Sequence, residues 1–218
     1  LHNWLVQQIH DERLTNAIKR YAGGVLVDLG CGASPYRTLT TGHVTAHIGI
    51  DHPGTPHGGR GIDLYAPAYA TALGSATVDT VLCTMVLEHL EDPQAALIEI
   101  ARILKPGGTL ILSAPLYWHL HEAPRDFFRY TEYGLRHLAA TAHLDPVEII
   151  PLAGFVVTFA QELSYFLNRW KRGRRERPIA LAQWGIQQVA YQLHRYDHST
   201  AFTWAYLAIF RKAPSSHE

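Results

Sequence analysis

Cysteine, net charge and long apolar runs are what this 218-residue chain has least of, and each shortage excludes something. Two cysteines, Cys31 and Cys83, cannot build a disulfide framework, so a reduced, cytoplasmic setting is expected. Nineteen basic residues balance nineteen acidic ones, so no global field draws the chain to nucleic acid, and polynucleotide substrates are disfavoured. No stretch is long and apolar enough to cross a bilayer, and no signal peptide is visible after Leu1. The Gly-Lys-Ser/Thr ending of an ATP-binding loop is missing as well. At this length one domain with a sizeable core is expected, spanning 1–218.

What is present centres on Val25-Leu26-Val27-Asp28-Leu29-Gly30-Cys31-Gly32-Ala33-Ser34-Pro35-Tyr36. An apolar run rich in β-branched residues ends in an acid and then two glycines, which reads as a buried parallel strand breaking into a tight turn. Open α/β sheets bind ligands beyond the carboxyl ends of their strands, and glycines there admit a cofactor that a Cβ would push away. A dinucleotide fingerprint needs a third glycine where this chain has Pro35, which disfavours a nicotinamide-dependent oxidoreductase. A second short strand, His47-Ile48-Gly49-Ile50-Asp51, ends in an acid about 20 residues after the glycines, where ribose-binding acids stand in nucleotide folds. Asp51, with His52 beside it, is therefore the leading cofactor residue.

An amphipathic helix from about Trp4 to Tyr21 leads into the glycine turn, and Pro53 to Arg60 reads as loop. Val78 to Met85 reads as a buried fourth strand running into Val86-Leu87-Glu88-His89-Leu90. Asp92 then caps a helix with Pro93 at its first position, and Leu97, Ile100, Ala101 and Leu104 follow on one face. Lys105-Pro106-Gly107-Gly108 stops that helix, and Thr109 to Pro115 forms a fifth strand.

Asp28-Leu29-Gly30-Cys31-Gly32 resembles the nucleotide-binding motif of class I S-adenosylmethionine-dependent methyltransferases. With Leu87-Glu88-His89 and Leu104-Lys105-Pro106-Gly107-Gly108 at matching separations, Val25 to Pro115 resembles the group that includes ubiquinone and menaquinone biosynthesis enzymes. The resemblance implies an α/β fold: a doubly wound, mostly parallel seven-stranded sheet of Rossmann-like type with one antiparallel strand. It implies S-adenosylmethionine held by Asp28, Gly30, Cys31, Gly32 and Asp51. It also implies Asp63 on the adenine amine, Leu64 as an apolar wall, Thr84 and Met85 behind the methionine part, and His89 near the site.

The second half bears on the acceptor. Tyr117-Trp118-His119-Leu120-His121-Glu122 follows the fifth strand, on the rim where substrates enter this fold. If the reaction is methyl transfer to an alcohol or phenol, the acceptor needs a base, and histidine suits neutral pH. His119 and His121 are the candidates, with Tyr117 and Arg129 orienting the acceptor; Asp126 and Arg129 could equally pair to hold the rim. His119, His121 and Glu122 lack a convincing distant partner for a metal, so none is expected. Thr131 is the expected cap of a helix from Glu132 to Ala142.

Between a sixth strand, Pro146 to Ile150, and a seventh, Trp204 to Lys212, stands a helical insertion at 155–198. Its two helices flank the basic linker Lys171 to Pro178. A lid over a hydrophobic acceptor, a homodimer contact, a peripheral membrane foot and a plain extension of the core all fit that composition. The reading is a small-molecule methyltransferase acting on oxygen, in secondary metabolism or glycan modification; the rival is a non-catalytic cofactor-binding subunit.

Overall fold

A computed structural model describes residues 3–55 and 59–214. The first half alternates helices α1 (Trp4–Tyr21), α2 (Arg37–Thr40) and α3 (Pro93–Ile103) with strands β1 (Val25–Leu29), β2 (Ala46–Asp51), β3 (Leu64–Tyr65) and β4 (Val78–Thr84). Then come β5 (Leu104–Pro115), α4 (Glu132–Thr141), β6 (Leu144–Pro151), α5 (Phe155–Asn168), α6 (Glu176–His194) and β7 (Ala205–Lys212). The sheet order is β3-β2-β1-β4-β5-β7-β6. Strands β1 to β5 pair in parallel, and β7 lies antiparallel to both β5 and β6. This is the doubly wound, mostly parallel seven-stranded sheet that the sequence motifs imply.

Both faces of the sheet are covered, so its central strands are apolar throughout, with successive side chains going to opposite sides. Val27, Val81, Cys83, Leu110, Leu112 and Phe210 join one core with Leu97 and Ile100 of α3 and Leu135 of α4. Leu26, Leu82, Ile111, Leu207 and Ile209 join the other with Leu5, Ile9, Leu14 and Ile18 of α1.

The caps follow the sequence logic: Asp92 accepts from the Ala95 N–H and Thr131 from the Gly134 N–H. Two boundaries differ from the pattern. Strand β5 begins at Leu104, already paired with Val78, and Gly107 at φ +77° takes the irregularity where the register shifts. Helix α6 begins at Glu176, ahead of Pro178, because a proline in the first turn removes no intrahelical hydrogen bond. In the loop expected at 53–60, residues 56–58 lie outside the described part; 53–55 and 59–60 are non-helical.

Candidate functional site

The strand order reverses between β1 and β4, and a crevice opens beyond the carboxyl ends of strands at such a reversal. The chain leaves β1 through the glycine turn, which β2 holds: the Gly30 and Cys31 N–H groups donate to the Ile50 carbonyl at 2.8 and 3.1 Å. Gly30 sits at φ +73°, and a Cβ there would come 2.3 Å from Val86 Cγ2. Asp51 completes the turn. Its Oδ2 accepts the Gly32 N–H at 2.6 Å and its Oδ1 accepts the His52 N–H at 2.6 Å. Both acceptor oxygens keep further lone pairs for a ligand.

A cavity of about 540 Å³ occupies the crevice, with Gly30, Asp51, His52, Met85, Val86 and His89 in its walls. The structure thus brings five of the sequence-selected residues, Gly30, Asp51, His52, Met85 and His89, to one space. The others stand further off. Asp28 is buried in β1 with Oδ2 3.5 Å from His47 Nε2. Cys31 and Gly32 form the turn behind the wall, and burial pushes the Cys31 thiol up to about 11, too high for a neutral-pH nucleophile. Asp63 accepts the Gly49 N–H at 2.8 Å and pairs with Arg37, contacts that hold its carboxyl below the usual range. Leu64 opens β3 and Thr84 closes β4 without reaching the cavity, whose wall past β3 is Ala66, Pro67, Ala68 and Tyr69.

The rim residues divide likewise. Arg129 donates to both oxygens of Asp126, at 2.6 and 2.9 Å, and to the carbonyls of Trp118, His119 and Phe128. The Arg129 fork holds the Asp126 carboxyl well below the usual carboxylate range. Tyr117 stacks on Phe202 with centroids 6.2 Å apart, and His119 Nδ1 lies 3.2 Å from Glu162 Oε1; neither is in the cavity wall.

His121 stands edge-on to His89 with ring centroids 4.8 Å apart. Its Nδ1 is 3.4 Å from Asp126 Oδ2, yet burial outweighs that neighbour and lowers its pKa, keeping the ring neutral. The Nδ1 of His89 lies 2.5 Å from the Arg125 carbonyl, which can only accept. The proton must therefore sit on Nδ1, leaving the Nε2 lone pair free of it. That nitrogen lies 3.8 Å from Glu122 Oε2 and 3.9 Å from Glu88 Oε1.

Glu88 and the wall at Glu122 to Arg125 are what the sequence reading did not assign. Glu88 is buried, and its Oε2 has no hydrogen-bond partner among the described residues. Burial raises its carboxyl to about 8, so it is protonated at neutral pH. The visible signal was one acid directly after the apolar run Met85-Val86-Leu87. Glu88, His89 and His121 each bring a ligating atom within 4.8 Å of the others, spacing that could take a cation. Such an ion would have to displace the proton that burial keeps on Glu88.

The sheet order with its glycine turn at the reversal defines the fold of the class I methyltransferases. Residues 27–112 match the family described as the methyltransferase domain. A "ubiquinone biosynthesis O-methyltransferase" of Caulobacter vibrioides is 33% identical over 104 residues, 43% of this chain and 41% of the relative. The chain thus spans less than half the length of the curated relatives it matches. An S-adenosylmethionine-dependent methyltransferase of Mesorhizobium loti superposes with TM-score 0.59 at 15% identity, covering 97% of this chain and 98% of that one. The [4+2]-cyclase SpnF superposes with TM-score 0.60 at 19% identity, covering 94% and 81%. Residues 27–112 are thus similar to a methyltransferase domain, and the whole chain shares the fold of S-adenosylmethionine-dependent methyltransferases.

Proposed function

We propose that the chain transfers a methyl group from S-adenosylmethionine to an oxygen of a small-molecule acceptor, a natural product or sugar hydroxyl. One observation carries the reading: the carboxylate of Asp51, fixed by the Gly32 and His52 N–H groups, stands in the wall of a cavity at the strand-order reversal. The curated relatives' O-methyltransferase descriptions favour oxygen over nitrogen or carbon. S-adenosylmethionine supplies an activated methyl on a sulfonium leaving group. Held by Asp51 and the glycine turn, it would give that methyl to the acceptor oxygen, the carbon–sulfur bonding pair leaving with sulfur.

The protein aligns the reactants, excludes water and takes the hydroxyl proton. His89 Nε2 is the acceptor for that proton, because Arg125 fixes the tautomer and the ring is in the cavity wall. Neutral His121 packs against it and stands as the alternate base. His119, Tyr117 and Arg129 act on the rim around them.

Titration calorimetry with S-adenosylhomocysteine, with NAD in parallel, tests the reading. The homocysteine compound binds and NAD does not; Asp51→Ala weakens binding about 100-fold or more, the loss of two charge-assisted hydrogen bonds. His89→Gln lowers turnover of a hydroxyl acceptor about 10²–10⁴-fold with cofactor affinity unchanged. Absence of S-adenosylhomocysteine binding would overturn the proposal.

A further inference from the structure

Helices α5 and α6 are amphipathic the wrong way round for helices that only extend a core. The side they turn to the body is largely polar, with Val157 and Ala190 as its buried apolar residues. Thr158, Gln161 and Ser164 of α5 and Gln183 and Gln187 of α6 are all at most 3% exposed. The glutamines among them serve hydrogen bonds: Gln187 Oε1 accepts the Leu5 N–H at 3.1 Å, and Gln183 Nε2 donates to the Ser164 carbonyl at 2.7 Å. The side they turn outward carries Phe159, Leu163 and Phe166 from α5 and Leu181, Trp184 and Leu193 from α6, each 43–67% exposed. Between the helices lies an apolar groove of about 630 Å³. An exposed apolar surface of this extent marks an interaction face.

The turn between the helices says what covers it. Arg169, Lys171, Arg172, Arg174, Arg175 and Arg177 crowd it, with Glu176 the lone acid of residues 169–177, in a chain of zero net charge. Arg169 lies over the Phe166 and Trp170 rings, 5.2 and 5.7 Å from their centroids. A guanidinium therefore caps the edge of the apolar face, as a side chain does when its stem is apolar and its head meets phosphate.

We infer that the α5–α6 hairpin seats the protein on an anionic lipid bilayer, its apolar face in the acyl boundary and its basic turn among the headgroup phosphates. Apolar burial and cationic attraction act together in such interfacial helices. Among the described residues no helix is long and apolar enough to cross a membrane, so the hairpin lies on the surface. A second copy of the chain fits the face less well, because it would bring a second basic turn into the same interface. The hairpin also adjoins the rim: Phe159 is 6.5 Å from Tyr117 between centroids, and Glu162 bonds His119. The inference goes beyond methyl transfer and does not depend on it.

The test is cosedimentation of the whole chain with vesicles of phosphatidylcholine alone and with one part in three of phosphatidylglycerol. The protein binds the anionic vesicles, binds neutral ones at least tenfold more weakly, and releases from the anionic ones as salt rises. Arg174→Gln with Arg175→Gln weakens binding about 30-fold. Leu163→Glu with Trp184→Glu abolishes it. All four positions are exposed, so thermal melts of these variants track the wild type; should one pair unfold, the lipid and salt dependence of the wild type still decides. Failure to bind anionic vesicles overturns the inference, as does equal binding to neutral ones. So does a solution dimer that Leu163→Glu with Trp184→Glu converts to monomer, since a second copy then covers the face.

Discussion

The buried carboxyl of Glu88 gives the sharpest test of the site's electrostatics. Its ordinary pKa of 4.5 rises to about 8 because burial penalises the charged form. Between those values the folded chain keeps a proton that the unfolded chain releases. Stability must therefore fall as pH rises through the window, the reverse of an ion-paired acid. At about 1.4 kcal/mol per pK unit, the wild type loses about 3 kcal/mol between pH 5 and pH 8 on account of this group. Glu88→Gln preserves shape and polarity but cannot ionise, so it removes that slope and leaves stability at pH 5 nearly unchanged. Urea melts followed by tryptophan fluorescence at both pH values measure the difference directly. In heat melts the variant gains on the order of 10 °C over the wild type at pH 8. Parallel pH profiles for the two proteins would refute the reasoning: they would mean that the carboxyl is already ionised in the native state, held by a neighbour or a bound cation.

Glu99 predicts the opposite sign. Its carboxylate accepts from Arg102 Nε and Nη2 and from the Thr71 N–H and hydroxyl at 2.7–2.8 Å, contacts that lower its pKa to about 2. Its contribution is complete above pH 4.5 and is lost as pH falls toward 2, so Glu99→Gln costs about 3 kcal/mol at pH 7 and much less in acid, by urea melts. Gly30→Ala places a Cβ against Val86 at a positive φ; stability falls by about 1–3 kcal/mol and S-adenosylhomocysteine affinity falls with it, by calorimetry. Arg129→Ala strands the Asp126 carboxylate and frees three carbonyls, a loss of about 3 kcal/mol that Arg129→Lys does not restore, because a lysine lacks the bidentate fork.

The sheet was legible because its signals are local and redundant. The apolar run before Asp28 and the glycines, the Asp92–Pro93 helix start and the Thr131 cap each specify an element, and each stands where the chain pattern puts it. The boundaries that moved, at Leu104 and Glu176, did so for reasons outside the local window. A β4 partner for Leu104 exists only in the sheet, and Pro178 is neutral in a first turn that the pattern read as linker.

The site was legible only in part, because pocket membership is a property of the folded rim and not of any motif. Asp51 and Gly30 reach the cavity by way of strand ends that the sequence marks. His89, by contrast, acquires a fixed tautomer only because the chain returns Arg125, 36 residues later, to its Nδ1. Arg129 looks from the sequence like a free cation on a substrate rim, and the fold commits it to Asp126 and three carbonyls. The hairpin carries the same lesson in reverse. Helical spacing correctly places α5 and α6, but spacing cannot say which face turns inward. Only the buried glutamines, bonded to the start of α1 and across to α5, show that the polar face is the inner one, and that choice leaves the phenylalanines and Trp184 facing whatever the protein meets outside.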